Sequence, residues 1–390
     1  KMAKFNYNNH CILINTTNII SLEKKINSIK KIDNYKIFRI DWSEDQLKNN
    51  FKRLIKIFKS EEFFKYDSSE DLYLLFFELN EQDVEILIHN DNILHLSEGC
   101  LQLINSIKTI FSKNKFCITS FSSHSNVIKS AFNLSFDYND KSINTLKNDL
   151  VGSNKWESLD FLFKFLNISS NWLIIRNFEE LSDSYIFKPG DDIDILCDDL
   201  QYFTALMNAK KRHGGRCSYF FELKNQKIPL DIRFVGDKYF DPIWASDMLK
   251  RKSTYNNIPT LSNYDYFFSL IYHSKLQKKE VKKVYIHRLE ELSNNLHFNN
   301  LPSDFILNDQ ICSELLNGFL YSNNYRYTYT DDAVRNEDFL KHIKFKEIND
   351  HLSNWRLLIK RTPLVFFNKI IEVGFRILGK NKKHPKIYSL

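Results

Sequence analysis

The chain has 390 residues, of which 43% are hydrophobic and 26% charged, so collagen-like, low-complexity and largely disordered classes are excluded. This length exceeds what one compact domain usually needs, which predicts two or three folded units. The net charge is +7, yet residues 356–390 hold nine Lys and Arg and one acid, so the rest of the chain is nearly neutral. A neutral body with a cationic tail argues against a nucleic-acid partner and predicts an anionic surface that the tail alone meets.

The cysteines show no metal or disulfide pattern. They have no CxxC pair and no His at metal-ligand spacing, which favours a reducing cytoplasm; they lie at positions 11, 100, 117, 197, 217 and 312. No long stretch is both apolar and uncharged, and residues 1–20 mix Asn and Lys with apolar residues. Neither a spanning helix nor a signal peptide is therefore predicted.

Residues 1–145 alternate short apolar runs with helical patterns such as 44–59, which predicts an N-terminal α/β domain of unknown role. The few glycines form neither GxxxxGK[ST] nor GxGxxG, so nucleotide binding by those loops is not supported. The polar segment 121–126 predicts a turn, and residues 137–154 predict a linker.

The pattern sharpens after the linker. A break at Gly214-Gly215 separates a helix from a hairpin with a predicted four-residue loop, 224–227. The predicted elements are a helix at 156–166, a strand at 172–175, an alternating strand at 191–197, a helix at 200–211, hairpin strands at 217–223 and 228–235, and a helix at 263–294.

Acidic residues cluster on two of these strands. Side chains two apart on a strand lie on one face about 6.5–7 Å apart, so Asp192 and Asp194 point together while the intervening isoleucines enter the core. Such carboxylates repel each other unless a cation neutralises them, and hard oxygen ligands suit Mg²⁺ or Mn²⁺. The hairpin supplies a third acid, Asp231, if its strand pairs beside the first. The alternative is a solvated edge strand.

An acid-x-acid pair on one strand and a lone acid on a neighbour resembles the nucleotidyltransferase superfamily, over about residues 155–290. Arg176-Asn177 stands where that superfamily usually has a Gly-Ser or Gly-Gly turn, a departure that leaves phosphate binding to the Arg176 charge. The run Gly-Asp-Asp-Ile-Asp-Ile-Leu at 190–196, with Leu-Asp-Ile at 230–232, is also similar to choline-phosphate and ribitol-phosphate transferases of the LicD and fukutin type. This resemblance implies an α/β (α+β) nucleotidyltransferase-like core that moves a phosphoalcohol from a CDP-activated donor to a glycan hydroxyl.

The resemblance also implies roles for the candidate residues. Asp192 and Asp194 hold one or two Mg²⁺ ions, and Asp231 completes the second metal or accepts the acceptor's proton. Arg176 and Arg233 stabilise the transferring oxygens. For Arg233 a plain ion pair with Asp231 is the alternative.

Two further candidates follow in the helix after the core. The run Tyr272-His273-Ser274-Lys275 puts His273 and Lys275 near the expected cleft, which predicts that they bind substrate. The alternative for both is that of polar residues solvated on a helix.

The tail combines many apolar residues with cations at both ends of 363–380, which predicts an interfacial helix on anionic lipid. A C-terminal helix docked on the body is the alternative. The predicted location is cytoplasmic, peripheral on the inner membrane face.

These observations predict four segments: an α/β domain at 1–145, a catalytic core at 150–260, a helical region at 261–355 and the basic tail at 356–390. The predicted function is metal-dependent transfer of a substituted phosphoryl group from a nucleotide-activated donor to a glycan or lipid-linked glycan, in bacterial surface polysaccharide synthesis. The alternatives are transfer of a nucleoside monophosphate from an NTP, and a non-catalytic nucleotide- or glycan-binding module.

Overall fold

The computed structural model describes residues 9–16, 18–28, 32–58, 71–79, 88–89, 93–94, 117–120, 122–182, 184–212, 216–278, 281–298, 301–330 and 335–346. The fold is mixed α/β with helices and mixed sheets, which confirms the predicted class at that level. The described residues divide into two compact units, the first drawn from 1–157, 164–169 and 201–208 and the second from 158–163, 170–200 and 209–390. The four predicted segments stay a prediction.

The first unit is built on a five-stranded sheet in the order β6-β1-β3-β2-β7. Among the described strand pairs of this sheet, β2 and β7 alone are parallel. The strands are β1 (Asn9–Thr16), β2 (Ile32–Ile40), β3 (Asp71–Leu79), β6 (Cys117–Ser120) and β7 (Asn144–Leu146), with a separate pair of β4 (Ile88–His89) and β5 (Ile93–Leu94). Residues of β1 and β3 are buried on both faces, which explains why each reads as a continuous apolar run.

Three helices in the described residues of the first unit accompany this sheet: α1 (Ile19–Asn27), α2 (Glu44–Ile57) and α3 (Ser122–Ala131). A reciprocal capping box between Ser43 and Gln46 begins α2. Near the end of α2, the buried Arg53 donates to the carbonyls of Ala205, Leu206 and Val151. A cation thereby satisfies the last carbonyls of helix α5 (Leu200–Met207), where the helix dipole is negative.

The second unit is built on a seven-stranded sheet in the order β10-β11-β12-β9-β8-β14-β13. Its central pairs are antiparallel between β8 and β9 and parallel between β9 and β12. The strands are β8 (Trp172–Arg176), β9 (Ile193–Cys197), β10 (Lys210–Lys211), β11 (Ser218–Leu223), β12 (Gln226–Phe234), β13 (Ser253–Tyr255) and β14 (Ile258–Thr260). Every residue of β8 and β9 is buried, so these strands form the centre of the unit.

Helices complete the second unit. They are α6 (Pro242–Lys250), α7 (Asn263–Leu276), α8 (Lys283–Asn295), α9 (Asp309–Ser322) and α10 (Glu337–Leu340), while α4 (Leu159–Ser169) is shared between the units. Buried aromatic rings join them, and Phe268 stacks on Phe319 with ring centroids 4.0 Å apart. In the described ranges no helix has the length and apolarity needed to cross a membrane. The tail at 356–390 lies outside the described residues.

Several local predictions are wrong. The segment 121–126 is mostly the start of α3 rather than a turn, and the linker contains β7. The helix predicted at 200–211 ends at Met207 because Asn208 adopts a left-handed φ of +53°, and β10 follows. The hairpin loop has two residues rather than four, since Leu223 pairs with Gln226 and Lys224 takes a φ of +52°.

Candidate functional site

Three charged residues form one row across the centre of the second unit's sheet. Asp194 on β9 is the register partner of Arg176 on β8 and of Asp231 on β12. The apolar neighbours Ile193 and Ile195 are buried in the core, so the alternation of the strand puts Asp194 on the opposite face. The structure therefore brings together the second acid of the Asp-x-Asp pair and the hairpin acid.

Arg176 forms a buried ion pair with Asp194. Its Nη2 donates to Asp194 Oδ1 at 2.6 Å, and both side chains are buried. Burial raises the pKa of Asp194 although the Arg176 charge opposes that shift. The predicted role of Arg176 toward phosphate oxygens stays a prediction, and its described ionic partner is a carboxylate.

Arg233 has the ion pair that the sequence left as an alternative. Its Nη2 lies 2.9 Å from Asp231 Oδ2, and its Nη1 lies 3.8 Å from Asp237 Oδ2. The guanidinium also lies 4.0 Å from the centroid of the Tyr239 ring. Burial raises the pKa of Asp231, against the opposing effect of Arg233, and the charge of Asp194 raises it further. Arg233 thus partly neutralises Asp231.

Asp192 lies directly before β9 and reaches solvent. The protein around it removes part of its hydration, and this effect, with the charge of Asp231, raises its pKa. The cations Arg176, Lys282 and Arg212 act in the opposite direction. Asp192, Asp194 and Asp231 therefore form one acidic cluster whose members disfavour each other's ionised state.

His273 belongs to a hydrogen-bonded chain beside this cluster. Its Nδ1 lies 3.3 Å from the Tyr239 hydroxyl and 3.1 Å from Gln277 Oε1. Burial, followed by the charge of Arg176, lowers the pKa of His273 to about 2, so the imidazole is neutral. The Arg233 guanidinium packs on the Tyr239 ring and pairs with Asp231, so His273 is linked to the acidic cluster through Tyr239 and Arg233. The alternative of a solvated histidine is wrong, because the side chain is buried.

Lys275 forms an ion pair with a residue outside the acidic cluster. Its Nζ lies 2.7 Å from Asp309 Oδ1 on α9 and 6.0 Å from the centroid of the Phe339 ring. The side chain is buried, so it is not the solvated lysine of the alternative interpretation. Its predicted substrate role stays a prediction, and its described ion pair is with Asp309.

A polar cleft of about 250 Å³ opens beside Asp192. Lys282, at the start of α8, and Tyr285 line one part of it, and Asn177 lines another. Asn177 takes a φ of +58°, a left-handed conformation that glycine favours and asparagine tolerates, at the position of the small-residue turn in the superfamily pattern.

One carboxylate of the cleft lining contacts two other lining residues. Glu179 accepts a hydrogen bond from the Tyr266 hydroxyl at 3.0 Å and forms an ion pair with Arg288. On the other wall, Asp191 accepts from the Tyr185 hydroxyl at 2.9 Å. The cleft thus offers aromatic rings and paired charges next to the acidic cluster.

Comparison with known proteins gives no relative. No protein-family model, curated protein or solved structure matches the chain. The resemblance to nucleotidyltransferases therefore rests on the motif residues alone and stays a prediction.

The acidic cluster fits a hard divalent cation by its donor chemistry. All three candidates are carboxylates, and the ion pairs of Asp194 and Asp231 each use one of the two oxygens. Oxygen donors of this kind suit Mg²⁺ and Mn²⁺, and bound positive charge would relieve their mutual repulsion. In the part of the chain that the structure describes, no three His, Cys, Asp or Glu side chains are already arranged as a metal site.

Sequence patterns do not single out Asp237, Tyr239, Lys282 or Tyr285. Tyr239 follows the β12 strand by five residues, and its importance comes from contacts with residues on β12 and α7. Lys282 and Tyr285 enter the cleft because α8 begins there, and a helix start at residue 283 carries no capping signal. The sequence offers one weaker signal for such residues. Polar residues that directly follow a buried strand lie in a loop, where binding residues are common.

Proposed function

We propose that this chain is a metal-dependent transferase that moves a substituted phosphoryl group from a nucleotide-activated donor, with a CDP-linked donor favoured, to an acceptor hydroxyl. The observation that carries the proposal is the row of Arg176, Asp194 and Asp231 in direct register across three adjacent strands. Asp192 flanks that row and opens to the cleft. Three acids and two arginines in and beside this row suit the handling of phosphate groups.

Phosphoryl transfer asks a protein mainly for positioning and charge neutralisation. When bound by Asp192, Asp194 and Asp231, Mg²⁺ supplies positive charge for the phosphate oxygens. Arg176 and Arg233 hold the carboxylates and add positive charge of their own. The acceptor oxygen forms its bond to phosphorus, the bond from phosphorus to the nucleotide oxygen breaks, and the nucleotide leaves as CMP.

The proton of the acceptor hydroxyl also needs a destination. Where Asp192 and Asp194 alone hold the metal, Asp231 suits that role, because it is the more exposed of the two strand acids and burial raises its pKa above the ordinary value. A carboxylate with a raised pKa is a better proton acceptor at neutral pH. Asp194 is less suited, since it is almost fully buried and bonded to Arg176.

The donor nucleotide belongs in the cleft under this proposal. The half-buried rings of Tyr185 and Phe187 supply aromatic surface for a base, and Lys282 supplies a cation close to Asp192. The cleft lining has two cations, Lys282 and Arg288, against four acids, so binding of a diphosphate there would depend on a divalent cation at Asp192. The family resemblance adds surface polysaccharide synthesis as the setting, and the cationic tail adds an anionic membrane surface.

A non-catalytic nucleotide- or glycan-binding module is the second candidate. It is favoured by the arginine pairs, which occupy one oxygen each of Asp194 and Asp231 where a metal would bind. In such a module the arginines would replace the metal as permanent counter-ions.

One experiment separates these candidates. The full chain is incubated with Mg²⁺ and a panel of CDP-alcohols and NTPs, and the released CMP and pyrophosphate are quantified. CMP release dependent on Mg²⁺ and acceptor supports the proposal, whereas pyrophosphate release indicates transfer of a nucleoside monophosphate. Binding of Mn²⁺, followed by electron paramagnetic resonance, tests the metal independently. If the chain binds the donor but neither turns it over nor binds Mn²⁺, it is the non-catalytic module.

A further inference from the structure

Three cations, Lys210, Arg212 and Lys227, lie on the same face of the sheet as the acidic cluster, and we call them, with Phe220 and Glu222 between them, the strip. Asp231 pairs with Ser218, and two positions further along β11 Phe220 pairs with Pro229 and with Lys210 of the edge strand. Residues two apart share a face, so Lys210 and Phe220 lie on the face of Asp231. The next row pairs Glu222 with Lys227 on that face.

Arg212 extends the strip toward the acids. It lies two residues after Lys210, and its backbone N–H donates to the Ser218 carbonyl, which places it opposite Ser218 in the row of Asp231. The side chain is exposed.

The strip is held in place and is positive overall. Lys210 is half exposed and lies 3.1 Å from Glu222 Oε1, the one acid within the strip. Lys227 is exposed, and its Nζ lies 5.3 Å from the centroid of the half-buried Phe220 ring. An aromatic ring flanked by cations offers a surface for a sugar ring that carries a negative charge.

The strip and the cleft flank Asp192 from different elements. Lys282, directly before α8, lines the cleft, whereas Arg212 follows the edge strand β10 and is not part of the cleft lining. In-line displacement needs the entering hydroxyl and the leaving group on opposite sides of phosphorus. If the cleft holds the donor, the strip is the place for the acceptor.

We propose that Lys210, Arg212 and Lys227, with the ring of Phe220, bind the acceptor, and that this acceptor is an oligosaccharide bearing phosphate or carboxylate groups. The inference rests on the proposed function and adds the charge of its substrate. Nucleic-acid binding commonly uses about six to ten phosphate contacts, and three cations beside one ring suit a shorter, less charged ligand. Phosphate and carboxylate share the chemistry that the strip recognises.

The test measures binding by the full chain in EDTA, so that neither metal nor turnover contributes. The probes are tetragalacturonate, maltotetraose 1-phosphate, uncharged maltotetraose and the oligonucleotide dT4. We expect both anionic oligosaccharides to bind, and their affinity to fall as salt rises, because the contacts are exposed charges. Tighter binding by the phosphate or by the carboxylate probe identifies the anion of the acceptor. Equal binding of uncharged maltotetraose, or stronger binding of dT4, overturns the proposal.

Variants locate the site. The triple variant Lys210→Ala, Arg212→Ala, Lys227→Ala should bind the better anionic probe at least about tenfold more weakly. Glu222→Gln should bind it more tightly, because the variant removes the one opposing charge. Lys211→Ala is the matched control, since Lys211 is the neighbouring cation on the opposite face, against Tyr219. A loss in the control equal to that in the triple variant overturns the proposal.

The outcome is separate from that of the proposed function. Asp192→Asn abolishes metal-dependent chemistry under the proposed function but leaves the strip intact, so it should retain the anionic probe in EDTA. Retained binding together with undetectable CMP release in the wild type contradicts the transferase and leaves the strip as a glycan-binding surface. Lost binding together with active CMP release contradicts the strip alone.

Discussion

Arg176 and Asp194 face each other across antiparallel strands, with Arg176 Nη2 2.6 Å from Asp194 Oδ1 and both side chains buried. Because both side chains are buried at the centre of the sheet, water cannot solvate the charge of either residue. The pair therefore links the stability of the second unit to the arrangement of its candidate active site.

Removing the arginine from this pair should be costly. Arg176→Met leaves Asp194 buried without its counter-ion, and we expect the free energy of unfolding to fall by about 3–5 kcal/mol. Urea denaturation followed by circular dichroism measures the change. The double variant Arg176→Met, Asp194→Asn should recover part of the loss, because the stranded charge is gone. Arg212→Met, at an exposed position, is the control. A double variant no more stable than Arg176→Met would contradict this account of the pair.

The acidic cluster should be needed for turnover and for metal binding. Asp192→Asn and Asp194→Asn should each lower turnover by about 10²-fold or more, as expected for a group that stabilises charge in the transition state. Asp231→Ala should lower turnover with metal binding only partly weakened. CMP release and Mn²⁺ binding are the measurements, and the exposed Asp304→Asn is the control. More than about a tenth of wild-type turnover in Asp192→Asn, or an unchanged rate in Asp231→Ala, argues against these assignments.

His273 should make stability fall in mild acid. Its folded pKa of about 2 lies below the ordinary value near 6.5, so below pH 6.5 the unfolded chain gains a proton that the folded chain does not. Stability is fully present above that pH and should decline by about 2 kcal/mol from this residue between pH 6.5 and pH 5.

The comparison of the wild type with His273→Asn isolates that contribution. Asparagine keeps a donor near the position of Nδ1, toward Gln277, and does not titrate. Urea denaturation from pH 5 to 8 should therefore show a difference between the two proteins that changes with pH below 6.5. A constant difference across this range would show that His273 titrates alike in both states.

Lys282 should contribute to donor binding rather than to the chemical step. Lys282→Ala removes an exposed cation from the cleft, and we expect KM for the CDP-linked donor to rise by about three- to tenfold with kcat nearly unchanged. Lys283→Ala is the matched control, because Lys283 is its exposed neighbour outside the cleft lining. A fall in kcat with unchanged KM would place Lys282 in the reaction itself.

The tail should confer binding to anionic lipid. Residues 356–390 carry the excess positive charge, so the full chain should sediment with phosphatidylglycerol vesicles at low salt. It should be released as salt rises, since each cation contributes about 1 kcal/mol and is screened over about 8–10 Å. Phosphatidylcholine vesicles are the control. Deletion of the tail should abolish sedimentation, and a deletion variant that aggregates instead would indicate that the tail belongs to the folded body.

The sequence by itself determined the parts of the site that depend on strand alternation. The period of two puts Ile193 and Ile195 into the core, which fixes Asp194 on the other face of β9, and the same alternation puts Asp231 opposite the apolar face of β12. The mixed α/β class follows from the same local patterns, because apolar periodicity reports which face of an element is buried.

Only the tertiary structure decided which charges meet. The antiparallel register of β8 with β9 pairs Arg176 with Asp194, and no local pattern encodes a register between strands separated by a long loop. Tyr239 and His273 meet although 34 residues separate them, and Lys275 meets Asp309 across the same interval. The physical reason is that a hydrophobic pattern specifies how much apolar surface an element buries, whereas ion pairs and hydrogen bonds depend on which elements bury it against each other.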